Sequence, residues 1–269
     1  MQKSNQWQWG VIFVSIFVFV GILFALSAVV GTDESSNQNS SSQSEESPTE
    51  ETPAEPEVPT EETPTEESPE ISAEVKSGET VTLMTLVLSI RVEEEKESDS
   101  YDRDRFRHWV NVEEKCSARE FVLREESTSK VSYSDKEECV VSGGLWLSLY
   151  DNVELTDPSG VDIDHMVPLK EAWESGAHSW NEGKRRSYAN DIGDERSLIA
   201  VSAGSNRSKS DRDPSDWMPT AKSYTCQYIS DWVAVKYRWD LTMDKAEKSS
   251  IQKSAEKCED TTVLVPKRG

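Results

Sequence analysis

Positive charge is missing from a long stretch near one end of this sequence. Residues 33–74 contain fourteen Asp and Glu and no Lys or Arg. Residues 10–30, just before it, carry no charge of either sign. The four cysteines, Cys116, Cys139, Cys226 and Cys258, never stand at the short spacing of a zinc knuckle, which argues against a structural zinc site. A basic footprint, the usual electrostatic mark of a nucleic-acid binder, is absent as well. The total charge is −22, and with the fourteen acids and Lys3 set aside, residues 75–269 still carry −9. If the partner is a nucleic acid, positive charge is confined to a local groove.

The uncharged run is long enough, at ~1.5 Å per residue, to cross a ~30 Å hydrocarbon core. Trp7 and Trp9 sit where interfacial anchors belong, and the acids that follow place the bulk of the chain outside. Residues 1–31 are therefore expected to be a membrane anchor, or a signal if cleavage occurs near Ala25-Leu-Ser-Ala28. Residues 32–76, built mainly from Ser, Thr, Glu and Pro, cannot bury enough apolar surface to offset chain entropy and read as a disordered acidic stalk. Residues 77–269 form the folded domain. An even number of cysteines beyond an export signal favours two disulfides. The simplest connectivity is Cys116 to Cys139 and Cys226 to Cys258, although three pairings are open.

Within the domain, residues 80–92 are rich in β-branched residues and suggest one or two strands. Phe106 and Trp109, three apart, suit one face of a short helix. Residues 131–141 and 143–150 read as extended around a Gly-Gly turn, and 157–160 as a turn. Residues 169–180 and 185–191 have helical character, 198–201 is a short strand, and 202–216 a polar loop. Residues 226–237 and 244–258 should be helices, so short strands and helices mix in an α+β domain.

The chemistry concentrates in Val161-Asp-Ile-Asp-His-Met-Val-Pro-Leu169 and Asn206-Arg-Ser-Lys-Ser-Asp211. Asp164 and Asn206 offer the oxygen donors that a hard divalent cation takes. His165, with an ordinary pKa of ~6.5, can accept a proton from water. Adjacent strand residues point to opposite faces, so Asp164 and His165 serve one site only at a strand end, and Pro168 fits such a break. Arg207, Lys209 and Arg212 are candidates for the nucleic-acid backbone, or for structural pairs with Asp211, Asp213 and Asp216.

Asp164-His165-Met-Val-Pro-Leu-Lys-Glu-Ala-Trp173, Tyr188-Ala-Asn-Asp191, Asn206-Arg-Ser-Lys-Ser-Asp211 and Pro214-Ser-Asp-Trp217 resemble secreted HNH-type nucleases related to the C-terminal domain of GmrSD restriction enzymes. Tyr101-Asp-Arg-Asp-Arg-Phe106 and Gly144-Leu-Trp146 resemble them too, and the likeness spans roughly residues 80–258. It implies a ββα-metal core of the HNH or His-Me finger kind with flanking helices. His165 would be the general base, and Asp164 and Asn206 the ligands of Mg²⁺, or of Mn²⁺. Arg186 would contact the scissile phosphate or pair with acids. The implied activity is a metal-dependent endonuclease acting outside the cell on DNA, with RNA as the alternative substrate. The rival reading is a non-catalytic surface binding module carried on the stalk.

Overall fold

The computed structural model describes residues 75–269, starting where the acidic stretch ends. The expected anchor (1–31) and all but the last residues of the expected stalk (32–76) lie outside the described residues. Among the described residues no helix is long and apolar enough to cross a membrane. The elements run β1 (Thr80–Thr82), α1 (Leu83–Ser89), α2 (Ala118–Glu125), β2 (Ser132–Tyr133), β3 (Val141–Gly143), β4 (Trp146–Ser148) and β5 (Val153–Leu155). They continue with β6 (Val161–His165), α3 (Leu169–Glu174), α4 (Glu182–Ala189), β7 (Leu198–Ser202) and α5 (Ala203–Lys209). The chain closes with α6 (Thr225–Trp239), α7 (Lys245–Ala255) and β8 (Thr262–Leu264). The domain is thus a mixed α+β fold of helices and four two-stranded sheets among the described residues, each sheet antiparallel.

Two of these elements correct the sequence reading. Residues 80–92 were expected to be strands, yet only β1 is, and its partner is the distant β8. From Leu83 the chain is helical because the Thr82 side chain accepts the Thr85 N–H as a cap, and Leu83, Leu86, Val87 and Ile90 recur at helical spacing into the core. Packing overrides the β-branched propensity here. The expected loop 202–216 likewise begins as α5, capped by the Ser202 hydroxyl. The Asp151 carboxylate accepts from both Ser202 and Ser205 hydroxyls, the latter at 2.8 Å, so the helix start is tied to the turn after β4. Phe106 and Trp109 do not share a helix either. Arg103–Phe106 is one 3-10 turn, after which Arg107 and Trp109 take positive φ angles of 39° and 59°.

Two apolar clusters hold the domain. The larger surrounds α6, whose Tyr228, Ile229, Trp232 and Val233 are wholly buried, and takes in α1, α3 and α7. A buried ammonium crosslinks that cluster: the three protons of Lys236 Nζ are shared among Glu171 at 2.5 Å, Ser175 Oγ at 2.7 Å, the Thr242 carbonyl at 2.8 Å and Glu247 at 3.0 Å. The smaller cluster packs α2 and Trp146 against Val161, Ile163, Leu198 and Ala200. Strands β6 and β7 lie between the two. Gly144 is required where it stands, because a Cβ there would come within 2.7 Å of both the Trp146 ring and Ser127 Oγ. Cys116 is bonded to Cys139, and Cys226 to Cys258, the second bond clipping α6 to the end of α7.

Candidate active site

Strand β6 positions the first part of the site. It pairs antiparallel with β7, Asp164 opposite Ile199 and His165 opposite Leu198. Alternation sends Val161 and Ile163 into the smaller cluster and Asp162 and Asp164 to the other face. His165 is the last strand residue, followed by Met166 and Val167, which enter the larger cluster. Helix α5 follows β7 directly and lies against both strands, bringing Asn206 to the same place. A cavity of about 470 Å³ is lined by Asp164, His165 and Asn206, with Arg103, Lys170 and Arg207 on the same walls.

The His165 ring is fixed on three sides. Its Nε2 lies 2.9 Å from the Ala189 carbonyl, which can only accept, so in the neutral ring Nε2 carries the proton and Nδ1 the lone pair. Trp109 packs against it with ring centroids 5.3 Å apart, and Tyr188 stacks on it at 6.3 Å. Burial pushes the imidazole down to about 3, against the Ala189 hydrogen bond, and the nearby Arg103 adds to the effect. The ring is therefore neutral at ordinary pH. A bulky residue with positive φ is uncommon, and its occurrence at Trp109, beside this ring, marks local strain at the site.

Asp164 is buried at the floor. Its Oδ2 accepts from the Tyr150 hydroxyl at 2.6 Å and from Lys209 Nζ at 2.5 Å. Burial raises the carboxyl, with Lys209 and Tyr150 opposing. Among the described residues no donor meets Oδ1. Asn206 donates through Nδ2 to Asp162 Oδ2 at 3.1 Å, and among the described residues its amide oxygen has no donor. Two hard oxygens and a neutral imidazole thus meet at one cavity.

The remaining sequence candidates separate. Arg207 lines the cavity with its side chain 77 % exposed, 3.9 Å from Asp162. Lys209 does not reach a substrate: its ammonium has no exposure and donates to Asp164 and to the carbonyls of His165 and Met166, both at 2.9 Å. A backbone-phosphate contact expected of Lys209 is replaced by a strut between α5 and β6. Arg212 folds back on the Lys209 carbonyl at 3.2 Å, outside the cavity lining. Arg186 is exposed on α4 and is also outside the lining. Asn190 and Asp191 brace the scaffold. Asn190 accepts from Val110 N–H at 2.9 Å and donates to the Arg107 and Arg186 carbonyls. Asp191 accepts from Ser197, Arg238 and Trp239. Acidic groups around Glu95, with Glu171 and Glu174 or with Asp213 and Asp244, lie outside the cavity lining.

Sequence reasoning passed over Tyr150, Trp109 and the Ala189 carbonyl. The last acts through its backbone, so no residue type could have signalled it.

Residues 117–254 match the family described as GmrSD restriction endonucleases, C-terminal domain. A protein of Arthroderma benhamiae described as an uncharacterized secreted protein is 40 % identical over 178 residues, covering 66 % of this chain and 85 % of the relative. No solved structure matches the chain. The chain belongs to the GmrSD restriction endonuclease C-terminal domain family, a family of endonuclease domains.

Proposed function

We propose that the domain, residues 77–269, is an HNH-type, metal-dependent endonuclease that hydrolyses phosphodiester bonds of nucleic acid, DNA ahead of RNA, outside the cell. The observation that carries this reading is the single cavity shared by Asp164, His165 and Asn206. In it, β6, β7 and α5 are the two strands and helix of a ββα-metal unit.

The residues present suit a hard divalent cation. Among the described residues no donor meets Asp164 Oδ1 or the Asn206 amide oxygen, and no thiolate lines the cavity. Mg²⁺ or Mn²⁺ bound there would supply Lewis-acid stabilisation of the phosphoryl and leaving oxygens. His165 takes the proton of the attacking water at Nδ1, while the Nε2–H bond to Ala189 holds the ring in one tautomer. Trp109 and Tyr188 keep the ring plane fixed. Lys209 and Tyr150 engage Oδ2, so the other Asp164 oxygen is the one that would hold the cation.

Two disulfides and the secreted description of the fungal relative support an extracellular setting. In this reading residues 1–31 anchor or export the chain and 32–76 hold the domain off the membrane. The −9 charge of residues 75–269 favours one rival, a non-catalytic surface module. Plasmid nicking separates the two: the nuclease cuts with Mg²⁺ and stops with EDTA. His165→Ala and Asn206→Ala proteins should fold and lose that cleavage, and full activity in both would sink the assignment.

A further inference from the structure

Resting on the nuclease reading, we propose that Arg103 grips the non-bridging oxygens of the scissile phosphate, the role that the sequence alone offered to Arg186.

A polyanion entering an acidic domain needs a cation that is not already neutralised. The cavity has three candidates, and their partners differ. Lys170 is held between Asp211 at 3.0 Å and Glu174 at 3.4 Å. Arg207 faces Asp162 at 3.9 Å. Arg103 has no carboxylate within ion-pair distance among the described residues, and its guanidinium sits against the Tyr101 hydroxyl. It is exposed, and it shares the cavity lining with His165 and Asp164. Arg186, by contrast, lies outside that lining.

The backbone beneath Arg103 is fixed, which a phosphate clamp requires. Asp102 caps the 3-10 turn through the Asp104 N–H at 2.9 Å. Phe106 at its end has no exposure and packs on Trp173 and Tyr188 at ring distances of 6.3 and 6.0 Å. Asn190 then ties the Arg107 carbonyl and Val110 N–H to α4. A guanidinium on such a wall presents paired donors that match two phosphoryl oxygens, and its charge offsets the charge that builds up on them as water attacks.

The test uses the full-length protein with Arg103→Ala, Arg103→Lys and Arg186→Ala changes. Plasmid cleavage with Mg²⁺ gives kcat and KM, and fluorescent-duplex binding at several salt concentrations gives the salt dependence of affinity. Arg103→Ala should lower kcat/KM on the order of 100-fold, most of it in kcat, as removal of one charge-stabilising donor does. Arg103→Lys should fall between that protein and wild type, and Arg186→Ala should match wild type. The salt slope of duplex binding should drop by about 1 in Arg103→Ala. Wild-type activity in Arg103→Ala overturns the proposal. So does an equal loss in Arg103→Ala and Arg103→Lys with an unchanged salt slope, because that pattern means a packing role. If the wild-type protein cuts nothing, the nuclease reading fails, and the salt slope alone then decides whether Arg103 meets phosphate.

Discussion

Lys209 Nζ lies 2.5 Å from Asp164 Oδ2, with neither side chain appreciably exposed, so the proposed metal ligand is buttressed by a buried cation from α5. The same ammonium also satisfies the His165 and Met166 carbonyls. One lysine therefore joins the helix carrying Asn206 to the strand carrying Asp164 and His165.

Lys209→Met should cost about 3–5 kcal/mol, since it leaves the Asp164 charge buried with only the Tyr150 hydroxyl. Asp164→Leu combined with Lys209→Met should recover part of that loss, because the unpaired charge is gone while the His165 and Met166 carbonyls and the Tyr150 hydroxyl still lose a partner. Thermal melts of the single and double variants check it. A double variant less stable than Lys209→Met would contradict the account.

The Cys226–Cys258 bond closes a loop of 32 residues between α6 and α7. Cys226→Ser with Cys258→Ser should lower stability by about 4 kcal/mol through the freed unfolded chain. Denaturant unfolding of the oxidised wild type and the double variant measures this. Equal midpoints would show that the helices need no clip.

Glu126 accepts the Ala200 N–H at 2.8 Å from the end of α2, and burial raises its carboxyl to about 7 from an ordinary 4.5. The protonated form is the one the fold favours. Its stabilising contribution is complete below about pH 4.5 and is lost as pH rises through about 7. Glu126→Gln keeps an acceptor without the charge. The variant should therefore gain on wild type as pH rises across that window, by up to about 3 kcal/mol at ~1.4 kcal/mol per pH unit. Melting temperatures of both proteins between pH 4 and 8 report the difference, and parallel curves would refute it.

Asn190→Ala removes the two hydrogen bonds that link residues 107–110 to the end of α4, and a third to the Arg186 carbonyl within α4, and leaves the Val110 N–H without its partner. A loss of about 1–3 kcal/mol follows from the unsatisfied group. Nucleic-acid cleavage should fall as well, because the wall carrying Arg103 and Trp109 loosens. An unchanged melting temperature with full activity would show that this wall holds itself.

Part of this molecule is written locally. The Asp164-His165 pair at a strand end before Pro168, the helices near 226–237 and 244–258, and the strand at 198–201 follow from spacing and residue type alone. The structure places them at β6, α6, α7 and β7. Helix α1 was hidden because Thr, Val and Leu read as strand until the core selects Leu83, Leu86 and Val87 at helical spacing. Helix α5 was hidden because Ala-Gly-Ser-Asn-Arg-Ser-Lys has no apolar stripe. It forms where Asp151 holds its first turn and Asp164 its last lysine, and both contacts cross more than 40 residues of chain.

By itself, then, the sequence determined the donor atoms: a carboxylate beside an imidazole, and an amide some forty residues on. Only the tertiary structure decided what each donor has left to give. Lys209 is spent on Asp164, Arg186 is not part of the cavity lining, and Arg103 stands on it without an acidic partner among the described residues. The physical reason is that residue type fixes a group's chemistry, while its free valence depends on neighbours that only folding brings into reach.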